Sequence, residues 1–241
     1  MIWTISDLHL SHARPKPMDI FGSHWKDHAE RIAAAWRARV AADDWVLVAG
    51  DISWAMKLPE ALADLRWVDA LPGRKVLIRG NHDYWCSRRV RPLRPHLPPS
   101  LTLLGADACD LGAAVACGTR GWITPDMPGY TLATDEPIYR RELSMLDRAL
   151  AEAHTLATGV KPIIVMLHYP PFFNQQPTEF TRRIAACPGV RACIYGHLHR
   201  RQDHDHAVNR IVDGVYYQLT SADFLQFGPV AVRGLGLDAL G

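Results

Sequence analysis

The chain has 241 residues, with 27 lysines and arginines against 25 aspartates and glutamates, 48% hydrophobic and 22% charged residues. That balance excludes a disordered polymer, and a formal charge of +2 excludes bulk attraction to polyanions while leaving local basic patches open. Twelve histidines direct attention to metal-ion or acid–base chemistry.

In chain order, a strand is predicted over Ile2–Ser6, running into Asp7-Leu8-His9. An amphipathic helix over His24–Ala42 follows, then a strand over Trp45–Ala49 that ends in Gly50-Asp51. Leu58–Leu71 reads as a second helix, and Lys75–Arg79 as a strand ending in Gly80-Asn81-His82-Asp83. Arg88–Pro99, with four arginines among four prolines, is expected as a surface loop, either a solvated basic connection or a lip facing phosphate or nucleic acid. Strands are predicted over Leu101–Leu104 and Leu111–Cys117, a helix over Glu136–Ala157, and a strand over Pro162–Leu167 that ends at His168. A helix over Thr178–Ala186 precedes a strand over Ala192–Tyr195, which runs into Gly196-His197-Leu198-His199. Asp203-His204-Asp205-His206 reads as a solvated turn, and Ile211–Thr220 and Pro229–Arg233 as further strands.

Apolar runs of this length, bounded by glycine or polar residues, suit strands buried on both faces. Their alternation with helices predicts an α/β fold, and the strand-rich stretches suggest a second sheet packed on the first. One domain over residues 1–241 is expected, since no linker or repeat interrupts the chain. No apolar stretch approaches the ~18 residues of a transmembrane helix, and the opening run, without a basic n-region or cleavage site, is expected to be a strand of the fold, not a secretory signal. Five cysteines without Cys-x-x-Cys spacing are expected as reduced, packed thiols of a cytoplasmic protein.

Five strand ends deliver metal-ligand residue types. Asp7 and His9 stand two residues apart, and in extended chain their side chains share one face and can bind one ion. His197 and His199 have the same spacing, with one of them free to turn to a second ion. Gly50 lets the chain turn and present Asp51; Asn81 offers a neutral oxygen; His168 completes seven donors. Mixed imidazole and oxygen donors without thiolate suit manganese, iron, zinc or nickel. Seven donors exceed what one ion takes, and fit two ions sharing Asp51. Two ions roughly 3.5–4 Å apart would acidify a bridging water and clamp a phosphoryl group for in-line attack. Against two ligand carboxylates they leave about +2 of local charge, which favours an anionic phosphate ester.

Asp7-x-His9, Gly50-Asp51, Gly80-Asn81-His82-Asp83, His168 and Gly196-His197-x-His199 resemble, in order, the five motifs of the calcineurin-like metallophosphoesterase superfamily, across residues 7 to 199. The resemblance implies a four-layer α/β/β/α sandwich with two mixed sheets flanked by helices. It implies one divalent ion on Asp7, His9 and His199 and another on Asn81, His168 and His197, with Asp51 bridging. Manganese is the first choice; magnesium joins the other options. His82 would stabilise phosphoryl charge or protonate the leaving oxygen, and Asp83 would orient or polarise His82. The protein Ser/Thr phosphatases of the superfamily carry Asp-Arg-Gly after Gly-Asp; Ile52-Ser53-Trp54 stands here instead, which disfavours a phosphoprotein substrate. The Asn-His-Asp form is closer to the nuclease, nucleotidase and cyclic-nucleotide phosphodiesterase branches.

The implied activity is a dinuclear phosphoesterase in which a metal-bridging hydroxide attacks a small nucleotide-like or other diester. Alternatives are a nucleotidase-like phosphomonoesterase and a non-catalytic metal-binding adaptor; the intact ligand set weighs against the adaptor. Trp54 is a candidate for stacking substrate or for the core, His12 for lining the site, and Arg120 for a bidentate phosphate contact or a surface ion pair.

Overall fold

The computed structural model describes residues 1–87 and 89–236. The first half contains β1 (Ile2–Ile5), α1 (His28–Arg39), β2 (Trp45–Val48), α2 (Leu58–Asp69), β3 (Arg74–Leu77) and β4 (Leu101–Leu103). Next come β5 (Asp107–Asp110), β6 (Val115–Thr119), α3 (Glu136–Ala157), β7 (Ile163–Leu167), β8 (Phe172–Phe173) and β9 (Gln176–Pro177). The chain continues with α4 (Glu179–Ala186), β10 (Val190–Tyr195), α5 (Arg201–Asp205), β11 (Ile211–Val212), β12 (Val215–Leu219) and β13 (Val230–Ala231).

One sheet has the order β13-β1-β2-β3-β4, the other β11-β12-β10-β7-β6-β5. The inner strands of each pair in parallel, and antiparallel partners close the edges at β13, β11 and β5. Side chains of successive strand residues point to opposite faces, and the apolar runs use both. Val46 and Val48 pack with Ile32, Trp36, Leu65 and Val68 of α1 and α2. Between them in sequence, Leu47 packs with Ile164, Met166 and Ile194 of the other sheet. Ile163, Val165 and Leu167 turn the opposite way, onto Leu143, Leu146, Phe180 and Ile184 of α3 and α4. Three apolar layers therefore separate four layers of structure, the predicted α/β/β/α sandwich with two mixed sheets.

Boundaries differ where local turns intervene. The first helix starts at His28 rather than His24, because Asp27 at φ 53° and the short turns Met18–Phe21 and Ser23–Trp25 break the run. The predicted strand over Leu111–Cys117 is half turn: Asp110 accepts the Gly112 N–H at 2.8 Å, and Leu111 donates to Ala114 O at 2.9 Å. Ile211–Thr220 folds into a β11–β12 hairpin, with Asp213 and Gly214 both left-handed, as a tight two-residue turn requires. The proline-rich loop holds a short 3-10 helix over Arg91–His96, compatible with proline at its start; Arg88 lies outside the described residues. Four of the five motif strands, β1, β2, β7 and β10, run to within one residue of their motifs, and Asn81 follows β3 by four residues; all reach the same rim of the sandwich. Among the described residues, no helix is long and apolar enough to cross a membrane. All five cysteines are unpaired.

Candidate metal centre and catalytic site

The chain turns abruptly as it leaves each strand. Asp7, His9, Asp51 and His197 have φ of 58°, 47°, 52° and 73°. Asp7 and His9 therefore converge through a left-handed turn, not through the alternation of an extended strand. Backbone bonds hold that turn against the next strand end: Asp7 N–H donates to Gly50 O at 2.9 Å and His9 N–H to Asp51 O at 3.0 Å. Two glycines permit the close approach. A methyl group on Gly80 would collide with the Asp51 carboxylate, and one on Gly196 with Asp7 Oδ2 and Ser6 Oγ.

All seven predicted ligands meet here. The ligand atoms of Asp7, His9 and His199 lie within 4.8 Å of one another, as do those of Asp7, Asp51 and His168. Asp51 Oδ2 stands 3.9 Å from His9 Nε2 and 3.5 Å from His168 Nε2, so it faces both halves, and Asp7 reaches both groups as well. Asn81 Oδ1 lies 2.7 Å from His168 Nε2 and 2.9 Å from His197 Nδ1. His9 Nε2 and His199 Nε2 face each other at 3.4 Å. Asp7, His9, Asp51 and His168 are buried.

Ring orientations are set from outside the cluster. His168 Nδ1 donates to Ala49 O at 3.0 Å, which leaves Nε2 with its lone pair turned inward. His199 Nδ1 donates to Asp223 Oδ1 at 3.1 Å, which turns Nε2 towards the cluster. Burial alone would lower His199, but the Asp7 and Asp223 carboxylates outweigh it and raise its pKa to about 10. Burial pushes His168 down to about 4 and His197 to about 3, and holds His9 well below its usual value. Burial, reinforced by the neighbouring Asp7 and Asp83 carboxylates, raises Asp51 well above the normal carboxylate range. Burial opposes ionisation of Asp7 too, yet His199, His168 and His9 together carry it well below its ordinary value. Buried carboxylates that repel one another beside inward-facing imidazole lone pairs fit divalent cations of intermediate hardness.

His82 sits at the edge of the cluster. Its ring lies 4.2 Å from the Trp54 ring and 5.7 Å from that of His9, with Nδ1 3.2 Å from the Tyr84 hydroxyl. Lys16 Nζ lies 3.1 Å from the centre of Trp54 on this side. Burial and then Lys16 lower the His82 pKa. The expected role of Asp83 in orienting His82 is corrected by its bonds. Its carboxylate accepts from the N–H groups of Ile52, Ser53 and Gly80 and from Trp85 Nε1, at 2.7–3.1 Å. A buried carboxylate needs those donors, so Asp83 turns inward and ties the loop after β2 to the loop after β3; Tyr84 is the group that meets His82.

Trp54 stacks on His9 at 5.0 Å, joining the candidate substrate face to the ligand wall. His12 donates its backbone N–H to Asp64 at 2.8 Å and holds the same oxygen through Nδ1 at 2.7 Å. Arg120 is 9% exposed, with its guanidinium 4.3 Å from the Trp122 ring centre and 3.5 Å from Glu142, the arrangement of an ion pair. In the basic loop, Arg94 is occupied internally by Asp107 and the Leu103 carbonyl. The Asp203–His206 stretch is mostly α5, where a solvated turn was predicted: His204 Nε2 lies 2.9 Å from Leu198 O and fastens it to the site's rim. Sequence reasoning missed Asp223 and also Trp25, whose ring edges lie against His9 and His199 at 5.7 and 5.6 Å.

The profile of the family described as calcineurin-like phosphoesterase matches residues 1–201. The chain is 40% identical over 81 residues to the Gene 66 protein of Mycobacterium phage L5, a match covering 34% of this chain and 39% of that protein. It is 34% identical over 131 residues to the acyl-carrier-protein phosphodiesterase PptH of Mycobacterium tuberculosis, covering 53% of this chain and 31% of that protein. The matched region thus spans about two fifths or less of these relatives' own lengths. The crystal structure of phosphopantetheinyl hydrolase PptH from Mycobacterium tuberculosis superposes with a TM-score of 0.50 at 19% identity, over 91% of this chain and 88% of that one. The crystal structure of TT1561 of Thermus thermophilus gives 0.51 at 12% identity, over 83% and 82%. Both likenesses are likenesses of fold.

Proposed function

The chain belongs to the calcineurin-like phosphoesterase family, and from that premise we propose that it is a dinuclear, metal-dependent phosphodiesterase acting on small diesters. One divalent ion is assigned to Asp7, His9 and His199, the other to Asn81, His168 and His197, with Asp51 shared and manganese the first choice of metal. When bound, such ions supply a water that ionises near neutral pH and positive charge for the phosphoryl oxygens. The observation that carries the reading is the convergence of seven donors from both sheets onto one rim, with the imidazole nitrogens aimed inward.

The remaining chemistry falls to the chain's own side chains. His82 has Nδ1 engaged by Tyr84 and its ring supported on Trp54, which leaves Nε2 to hand a proton to the departing alcohol oxygen. The choice of a diester is supported by the Asn81-His82-Asp83 form and by similarity to a protein named as a phosphodiesterase. Five unpaired cysteines support a reducing compartment, the cytoplasm.

The test supplies manganese, magnesium, zinc or nickel separately and compares bis(4-nitrophenyl) phosphate with 4-nitrophenyl phosphate. The expected result is metal-dependent turnover of the diester, fastest with manganese. His82→Ala should retain both ions and lose about 10²–10⁴-fold in turnover. A protein holding two ions that turns over neither ester would overturn the reading; faster hydrolysis of the monoester would replace diesterase with monoesterase.

A further inference from the structure

A cavity of about 580 Å³ opens beside the ligand cluster, and His197 and His199 are part of its wall. That volume lies within the ~300–1,000 Å³ of small-molecule sites. Carbon dominates the remainder of the lining, from Ile123, Met127, Tyr169, Phe172, Phe173 and Leu198. Tyr169 joins the two regions physically, since its ring lies 4.3 Å from that of His197. Phe172 and Phe173 are carried on the β8–β9 hairpin, whose turn residues Asn174 and Gln175 have φ of 48° and 62°. Left-handed conformation at both turn positions matches strand twist, so this side of the cavity is presented by a short, pre-shaped element.

The charge of the lining restricts what fits. Arg200 and Asp203 face each other at 3.9 Å, and His206 Nδ1 is held by Gln202 O at 2.7 Å. Outside the ligand cluster, Arg200 and Asp203 are the formal cation and anion among the described lining residues, and their charges cancel, with the Arg200 side chain itself 85% exposed. A polyphosphate or a second phosphodiester finds no net counter-charge there.

His82, Trp54 and Lys16 form a different face of the cluster and do not line the cavity. A diester whose phosphorus sits over the cluster therefore has one ester oxygen beside His82, while its other arm has the cavity to enter. Resting on the phosphodiesterase reading above, the geometry points to this cavity as the subsite for the retained alcohol arm of the substrate, and to an arm that is uncharged and largely apolar. Water oxygen bonds to phosphorus, the P–O bond on the His82 side breaks, and the departing oxygen takes a proton. The product left in the cavity is the phosphate monoester of the apolar arm.

The experiment uses the metal-loaded protein and three 4-nitrophenyl phosphodiesters whose retained arm is methyl, octyl or ω-carboxyoctyl. The octyl ester should exceed the methyl ester in kcat/KM by at least about tenfold, chiefly through KM, as burial of apolar surface requires. The carboxylated arm should lose most of that advantage. Phe173→Ala and Met127→Ala should each collapse the octyl-to-methyl ratio at least threefold. Equal kcat/KM for methyl and octyl, a preference for the carboxylated arm, or a ratio unmoved in both variants would overturn the assignment. If none of the diesters reacts, the phosphodiesterase reading fails, and the cavity is judged by calorimetry with methyl octyl phosphate against dimethyl phosphate. Tighter binding of the octyl compound that weakens in Phe173→Ala supports the cavity; equal binding removes it.

Discussion

Left-handed backbone at Asp7, His9, Asp51 and His197 costs about 1–3 kcal/mol per non-glycine residue. The surrounding bonds hold that strain in place, and the return is a set of donors aimed at a common centre. Asp223 belongs to the same economy of position without being a ligand. It lies 3.1 Å from His199 Nδ1 and fixes which nitrogen of that ring faces inward. Asp223→Asn preserves shape and removes charge, so metal affinity should weaken by about 10–100-fold. Competition with a chromogenic chelator measures this directly, and an unchanged affinity would show that His199 needs no such partner. Asp223 was legible in principle. It stands four residues beyond Leu219 at the end of β12, as the other site residues follow their strands, but Thr220-Ser221-Ala222 separates it from the apolar run. Asp83 was misread for the complementary reason, because adjacency in sequence says nothing of direction once a buried carboxylate must collect N–H donors.

At the level of elements, strands were easier to read than turns. Continuous apolar runs mark β2, β3, β7 and β10 because both faces are buried, and an identical demand on both faces leaves little ambiguity. The Leu111–Ala114 turn and the start of α1 were obscured because their breaks depend on φ values that apolar composition does not reveal. Lys75 shows another contact invisible in sequence: from β3 its Nζ bonds the Leu71 and Asp69 carbonyls at the end of α2. Helix ends leave carbonyls without partners, and here a buried lysine supplies them. The loop after β10 has a simpler dependence on residue size. Gly196 needs no unusual backbone, yet its Cα lies against Asp7 and Ser6. Gly196→Ala should cost ~1–3 kcal/mol through overpacking and displace Asp7, seen as a lower denaturation midpoint together with weaker metal binding. Wild-type stability with full metal affinity would mean that the β10 loop yields freely.

For the molecule as a whole, near-neutral net charge conceals a concentrated electrostatic problem at one rim. The raised pKa of His199, about 10, means that the metal-free protein holds a proton on that ring at pH 7. A cation taking His199 as a ligand must displace it. Affinity should therefore rise with pH, by about tenfold per unit for one released proton between roughly pH 6 and pH 9. Calorimetry in buffers of different ionisation enthalpy reads that release, and binding without proton release would show that His199 stays outside the coordination sphere.

The site draws on both sheets. Asp7, Asp51 and Asn81 follow β1, β2 and β3, while His168, His197 and His199 follow β7 and β10. Bonds already cross between them at this rim: His197 N–H donates to Asp7 at 3.0 Å, Ser6 N–H to Thr220 O at 2.8 Å, and His168 Nδ1 to Ala49 O at 3.0 Å. The sandwich is thus bound like a book along its spine, with polar stitching at the ligand end and, behind it, interleaved apolar pages pinned at one edge by Gln218, which donates to Ala231 O and accepts from the Arg233 N–H. Any repacking of Leu47, Ile164 or Ile194 that slides one cover over the other must pull on those stitches first. Alignment of the chemistry is in this sense a gauge of how the two sheets lie on each other.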